Sequence, residues 1–203
     1  MSEILVIKRE DLPISWLPTF GFLSLSEEQF RDEIRKTRFL FMERGQAEKD
    51  ENYKQIIPYV VMIDVDSDIL CYQRNGREER LKNLYSAGIG GHIEKQLDAG
   101  ENLQSLIYNG LSRELLEETG LTYHLSKVTF HGIINEEQTQ AGRVHLGIVF
   151  SFLIENHNHL KVSSELHNYQ FCGISEFLNH KKYEYWSGLA LNLIQQKRKN
   201  RDE

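Results

Sequence analysis

The sequence predicts a mixed α/β (α+β) sandwich. Three observations carry that prediction. β-Branched apolar runs stand both before and after one long internal helix, the arrangement of strands and helices packed as layers. The first two runs, IIPYVVMIDV (56–65) and ILCYQR (69–74), are separated only by Asp66-Ser67-Asp68 and read as a hairpin. A chain of 203 residues with 40% hydrophobic and 27% charged content can bury a proper core in one soluble globular domain, with room for an appendage.

The elements follow in order. Residues 3–7 (EILVI) read as a short strand. After a loop carrying Pro13 and Pro18, Ser26-Glu-Glu-Gln29 has the form of a capping box and opens a helix. Phe30, Ile34 and Phe41, with Leu40 beside them, would share one apolar face of that helix. The polar stretch from Gly45 to Gln55 reads as loop, and Pro58 is placed near a strand start, where a missing donor is tolerated. The glycines of Gly88-Ile-Gly-Gly91 mark backbone that turns sharply or is closely approached. A helix spans about 102–119. Strands follow at 128–135, 144–154 and 169–174, then short helices near 175–180 and 186–198.

Charge and composition exclude several roles. A net charge of −6 argues against a nucleic acid polymer or an anionic membrane as partner, though a local basic pocket for a small anion remains open. No apolar run approaches the ~18 residues that cross a bilayer. The opening MSEILVIKREDLP lacks the apolar core of a secretory signal. Cys71 and Cys172 have no CxxC or Cys/His companions and read as reduced core thiols of a cytoplasmic protein.

The long helix carries the chemistry. On a wheel of ~100° per residue, Leu103, Leu106, Ile107, Gly110 and Leu111 form a buried stripe, opposite Gln104, Ser105, Tyr108, Asn109 and Ser112. Continued, the stripe would make positions 114, 117 and 118 apolar. They are Glu114, Glu117 and Glu118. A solvated acidic face is the usual meaning of such a cluster, but these carboxylates interrupt the buried stripe and sit at the helix's C-terminal end, where the dipole opposes them. Spaced i, i+3 and i+4, they also repel one another. A hard divalent cation, Mg²⁺ or Mn²⁺, offsets that repulsion, because it prefers carboxylate oxygen. Arg113 is the natural partner to hold one glutamate, and Gly120 supplies a left-handed cap that ends the helix.

The stretch RELLEETGL (113–121) resembles the second half of the Nudix hydrolase box, Gly-x5-Glu-x7-Arg-Glu-U-x-Glu-Glu-x-Gly-U with U aliphatic: Arg113, Glu114, Leu115, Glu117, Glu118, Gly120 and Leu121 match position for position. The first half departs. Counting back from Arg113 puts Ser105 and Ala99 where the family has its glutamate and glycine; a Gly100-Glu101 pair occurs, but eleven residues separate Glu101 from Arg113 instead of seven, and nine separate Gly91 from Glu101 instead of five. Glu101 reads as an acid near a helix N-terminus. The resemblance extends over about 56–178. SxGxGGHI before a lengthened spacer, with AEKDENYKQIIPYVV ahead of it, is similar to a bacterial subgroup described as predicted phosphoesterases.

That resemblance implies a Nudix-type α/β/α sandwich with a mixed sheet, residues 1–55 being an N-terminal elaboration packed on the core and 56–203 a catalytic domain with its C-terminal helix. It implies metal-dependent hydrolysis of a diphosphate linkage in a small molecule. Glu117 and Glu118 would ligate metal, Glu114 would ligate or act as base beside Arg113, and a carbonyl near Gly91 would complete the shell. Family members are often dimers, so a homodimer is open. A glutamate from a later loop often assists; Glu165 is the candidate, reading equally as a surface acid, with Glu136 and Glu137 as weaker rivals. His92 could touch phosphate or metal, although a lone histidine is more often a packing residue. Arg74, Arg77 and Arg80 could hold phosphate but read better as surface charge. Trp16, Phe20, Phe22 and Tyr59 could stack a base but equally suit a core. Two alternatives share the fold: an enzyme like isopentenyl diphosphate isomerase, which would need a cysteine near the glycine loop and clustered histidines, whereas Cys71 lies within the strand ILCYQR and only His92 is near the glycines, and a non-catalytic nucleotide-binding sensor, which commonly lacks these glutamates.

Overall fold

The computed structural model describes the chain apart from residues 1, 18–20, 75–83, 123, 180, 181 and 203. Its order is β1 (Glu3–Lys8), β2 (Gly21–Ser24), α1 (Glu27–Ile34), β3 (Leu40–Glu43), α2 (Arg44–Ala47), β4 (Tyr53–Asp64), β5 (Ile69–Arg74), β6 (Tyr85–Ser86), β7 (Gly88–Gly90), α3 (Leu103–Thr119), β8 (Val128–Asn135), α4 (Gln140–Val144), β9 (His145–Ile154), β10 (Leu166–Cys172), α5 (Ile174–Leu178) and α6 (Tyr185–Asp202). The described strands form one mixed sheet whose main path is β10-β5-β4-β9-β8-β2; β1 and β7 pair with β4, β3 with β1, and β6 with β5.

β4 organises the layers. It runs parallel to β9 from Gln55↔His145 to Asp64↔Ile154 and is buried along nearly its whole length. Its side chains alternate between faces. Ile56, Val60 and Met62 join α3's Leu103, Leu106, Ile107, Leu111 and Leu115. Tyr59, Val61 and Ile63 join α6's Ala190, Leu191, Leu193 and Ile194. Both faces being covered, the strand reads in sequence as one apolar run. The hairpin to β5 forms as expected: Asp64 Oδ1 accepts from the backbone N–H groups of Asp66 (3.0 Å) and Asp68 (2.9 Å).

Four expectations need correction. α1 opens at Ser26 as read, the Ser26 hydroxyl accepting from Gln29 N at 3.0 Å, but it stops at Ile34. Leu40 and Phe41 lie in β3, paired with Val6 and Leu5 of β1; strand pairing overrides a helical spacing that was coincidental beyond residue 34. The stretch 45–55 is not all loop, since α2 begins at Arg44 and β4 at Tyr53. Pro58 is therefore inside β4, level with the end of β7, whose ladder stops at Tyr59↔Gly90. Finally, β10 starts at Leu166 instead of Tyr169. Trp16 and Tyr59 are core residues: Trp16 stacks on Phe30, and the Tyr59 hydroxyl meets Ser187 Oγ at 2.9 Å. Phe22 is partly buried against the α6 side, and Phe20 lies outside the described residues. Cys71 and Cys172 are free buried thiols, brought within 3.2 Å across β5 and β10.

One buried charge cluster ties the N-terminal strand to the rest. Lys54 is fully buried; its ammonium reaches Glu137 Oε1 at 2.8 Å and the Gly142 carbonyl, while Arg9 grips both Glu137 oxygens at 2.9 and 3.0 Å. Burial pushes the Glu137 carboxyl up, but the hydrogen bonds and charges of Arg9 and Lys54 outweigh it and hold its pKa below 4.5. Its folded pKa being depressed, the pairing stabilises the protein above that value and is lost as pH falls below it. Glu137→Gln, which strands the Lys54 cation, is expected to destabilise the fold by about 3–5 kcal/mol near neutrality. Urea unfolding at pH 7 and pH 4 measures this, with a smaller wild-type–mutant gap at the lower pH.

Candidate active site

α3 begins with a capping pair, Asn102 Oδ1 accepting from Ser105 N (2.9 Å) and Ser105 Oγ from Asn102 N (3.2 Å). It ends at Gly120, whose φ of 69° is the left-handed cap the sequence predicts. The switch of faces is partial. The wheel puts Leu115 and Leu116 on the formerly polar side, but only Leu116 is exposed, at 53%; Leu115 is buried in the same core cluster as Leu111.

Glu114, Glu118 and Glu165 line one cavity of about 60 Å³ together with Tyr72, Ile89, Gly90 and Leu166. Glu165 arrives there because the loop before β10 is stitched to the end of α3. Lys161 N donates to the Thr119 carbonyl (2.8 Å), Ser163 N to the Glu118 carbonyl (2.8 Å), and the Ser163 hydroxyl to Glu118 Oε2. These bonds satisfy carbonyls that a helix end leaves orphaned. The early start of β10 at Leu166 then sets Glu165 at the strand's mouth.

Arg113 is saturated with acceptors. Its Nε and Nη2 grip Asp98 Oδ1 and Oδ2, both at 3.0 Å; Nη1 reaches Glu114 Oε1 (2.7 Å) and Glu117 Oε2 (3.1 Å); Nη2 also meets the His92 carbonyl (2.7 Å). Burial disfavours the cation, but the bond to Asp98 and the charge of Glu114 outweigh it and raise its pKa. Glu114 lies with only 15% of its side chain exposed, and Glu117 with 55%. Burial raises the Glu114 pKa; Arg113 opposes, and the charges of Glu117 and Glu118 push it further up. Gly91 makes the approach possible: a Cβ there would fall 1.9 Å from Glu114 Oε1.

These residues fit a divalent cation. The cavity's charged donors are all carboxylate oxygen, the set that hard cations take. Burial first, and then the charges of Glu117 and Glu118, raise the Glu114 pKa, and a cation among these acids would offset the part due to repulsion. At roughly 10–15 Å³ per water, the cavity has room for an ion that keeps part of its hydration.

The other sequence candidates separate clearly. Glu136 is buried and accepts from Gln138 N (2.8 Å) and Thr139 N (3.0 Å) ahead of α4, and Glu137 is engaged with Arg9 and Lys54. Neither lines the acidic cavity. Glu101 is exposed just before the α3 cap. Arg77 and Arg80 lie outside the described residues, as does the Arg74 side chain. His92 points to the start of β4, its Nε2 at 2.8 Å from Gln55 Oε1; burial, then the charges of Arg44, His145 and Arg113, depress its pKa to about 3. Asp98 was missed. It is 2% exposed, in the lengthened spacer, where no periodicity marks it; its only signal was a lone acid in QLDAG.

No family model matches the chain. Protein YmaB of Bacillus subtilis (strain 168) is 29% identical over 164 residues, covering 76% of this chain and 77% of that protein. Tm1382, a candidate Nudix hydrolase of known crystal structure, is 30% identical with a TM-score of 0.77, covering 96% of this chain and 99% of its own. The Nudix domain of Shewanella oneidensis NrtR, solved with ADP ribose, shares the fold at 11% identity and a TM-score of 0.57, covering 86% of this chain and 99% of that one. With the Arg113–Leu121 stretch, the lengthwise match to Tm1382 settles the family: the chain belongs to the Nudix hydrolases and is a pyrophosphohydrolase of phosphoric anhydrides, the class that works with divalent metals.

Proposed function

We propose that the chain hydrolyses the diphosphate linkage of a nucleoside-diphosphate-linked or similar small molecule at the cavity beside α3, with Mg²⁺ or Mn²⁺. The observation that carries this reading is the convergence of Glu114, Glu118 and Glu165 on one cavity; Glu117 is not in its lining but is joined to Glu114 through Arg113. In this assignment Glu117 and Glu118 would ligate the cation with the Gly91 carbonyl, Glu114 would either ligate it or act as the base, and Glu165 would assist from the loop before β10. When bound, the ion would neutralise phosphate oxygens and lower the pKa of an attacking water.

The protein's own part follows from its groups. Arg113, immobilised by Asp98, fixes the Glu114 carboxylate, so that group meets substrate without reorganising. Where Glu114 acts as the base, its position beside the cavity and the rise in its pKa with burial suit it to take the proton from the water that attacks phosphorus. The diphosphate ester then parts into two phosphate-bearing products. Tyr72, Ile89 and Leu166 complete the lining beside the acids. The isomerase alternative loses its cysteine: Tyr72 lines the cavity, and Cys71 faces the opposite core, where it is 1% exposed.

A metal-supplemented screen of diphosphate compounds, read as phosphate after phosphatase coupling, is expected to find turnover that Glu117→Gln lowers at least about tenfold; unchanged turnover in that variant removes its assigned role. Mn²⁺ at about a hundred times its Kd should add about 2.7 kcal/mol to stability, seen as a rise in Tm. That rise should vanish in a Glu114→Gln, Glu117→Gln, Glu118→Gln triple variant. Asp98→Asn, at a buried residue outside the cavity lining, is expected to weaken cation affinity about 10–100-fold by freeing Arg113, measurable by calorimetry; an unchanged affinity would deny Asp98 a positioning role.

A further inference from the structure

A second group of ligand-bearing side chains lies beside the acidic cavity but outside its lining. Glu48 follows α2, His92 follows the β7 glycines, and His145 opens β9. One ligand atom from each falls within 4.8 Å of the others. His92 Nε2 stands 3.3 Å from His145 Nε2 and 4.0 Å from Glu48 Oε1. A tetrahedral ion with bonds of ~2.0–2.1 Å sets its ligand atoms about 3.3–3.4 Å apart. The imidazole pair already has that spacing, and the exposed glutamate needs only a small rotation to reach it.

Two further features point the same way. His145 Nδ1 lies 2.8 Å from the Ala141 carbonyl, a contact in which Nδ1–H must donate, so Nε2 carries a lone pair aimed at His92. Such a bond behind the coordinating nitrogen is the usual support of a metal-binding imidazole. The second is Gln55, fully buried and in register with His145. Its Oε1 is 2.8 Å from His92 Nε2, yet its amide nitrogen has no hydrogen-bond partner among the described residues. An orphaned buried donor at such a place calls for a missing acceptor, and a water on a metal's open position is one.

We propose that Glu48, His92 and His145 bind a borderline-soft divalent cation of the Zn²⁺ class, with Gln55 facing its remaining position. Imidazole nitrogen selects such ions over Mg²⁺, so this site and the carboxylate cavity are chemically distinct. They adjoin, since the His92 carbonyl accepts from Arg113, but neither assignment requires the other. In the metal-free chain His92 Nε2–H donates to Gln55, and the cation takes the place of that proton. Arg44 Nε, 3.8 Å from Glu48 Oε1, competes for the glutamate and tempers the affinity.

The test is Co²⁺ titration of the metal-stripped full-length protein in excess Mg²⁺, followed by visible ligand-field absorption. One equivalent should bind with the intense bands of a four- or five-coordinate nitrogen-ligated ion, and Zn²⁺ should displace it. His145→Gln is expected to weaken binding more than about 100-fold, beyond the loss from an outer hydrogen-bond partner. Glu48→Gln, on the surface, should weaken it about tenfold with an unchanged melting temperature in chelator, and Arg44→Gln should tighten it. Glu117→Gln should leave the bands intact. Absence of Co²⁺ binding, binding that survives both His145→Gln and Glu48→Gln, or bands lost only in Glu117→Gln would overturn the proposal.

Discussion

The site depends on one guanidinium. Arg113 bonds Asp98 from the spacer, the His92 carbonyl from the glycine loop, and Glu114 and Glu117 from its own helix. Three successive segments, the glycine loop, the spacer and the helix, meet on its N–H groups. A half-buried cation must be paired or it is ruinous to the fold, and here the pairing itself sets the geometry. The acids that repel one another at the end of α3 are tolerated because this cation stands among them.

The sheet supplies the rigid frame for that contact. β4 is covered by α3 on one face and α6 on the other, so its position is determined by packing from both sides. Gly110 lets α3 approach closely, a Cβ there falling 2.9 Å from Ile93 Cγ1 and 3.6 Å from the Pro58 ring. Gly91 then lies directly under Glu114. Two glycines on facing segments thus set the height of the helix above the loop, which explains why the glycine run and the acidic turn occur in the same chain.

What could be read in advance follows the range of each signal. The acidic turn was legible because a broken 3.6-residue period shows within a single helix, and Gly120 confirmed its end locally. The hairpin was legible because its turn acids bond their own neighbours. Phe41 misled because a helical spacing cannot reveal that β1 lies beside it. Asp98 and His145 carry no local pattern; each gains meaning only from a partner fifteen or more residues away, Arg113 for one and His92 for the other. Glu165 stood between these cases. A loop acid before a strand is ambiguous until the Ser163–Glu118 contact shows where the loop is tethered.

That tether has a consequence for how the cavity comes into being. The loop that carries Glu165 is anchored on carbonyls of Glu118 and Thr119, groups exposed at a helix end only once the last turn has wound. Fraying of that turn would release the anchor and scatter the acids at the same moment. The loop wall and the helical wall therefore melt and form as one cooperative unit, and a chain caught midway holds no partial version of the pocket.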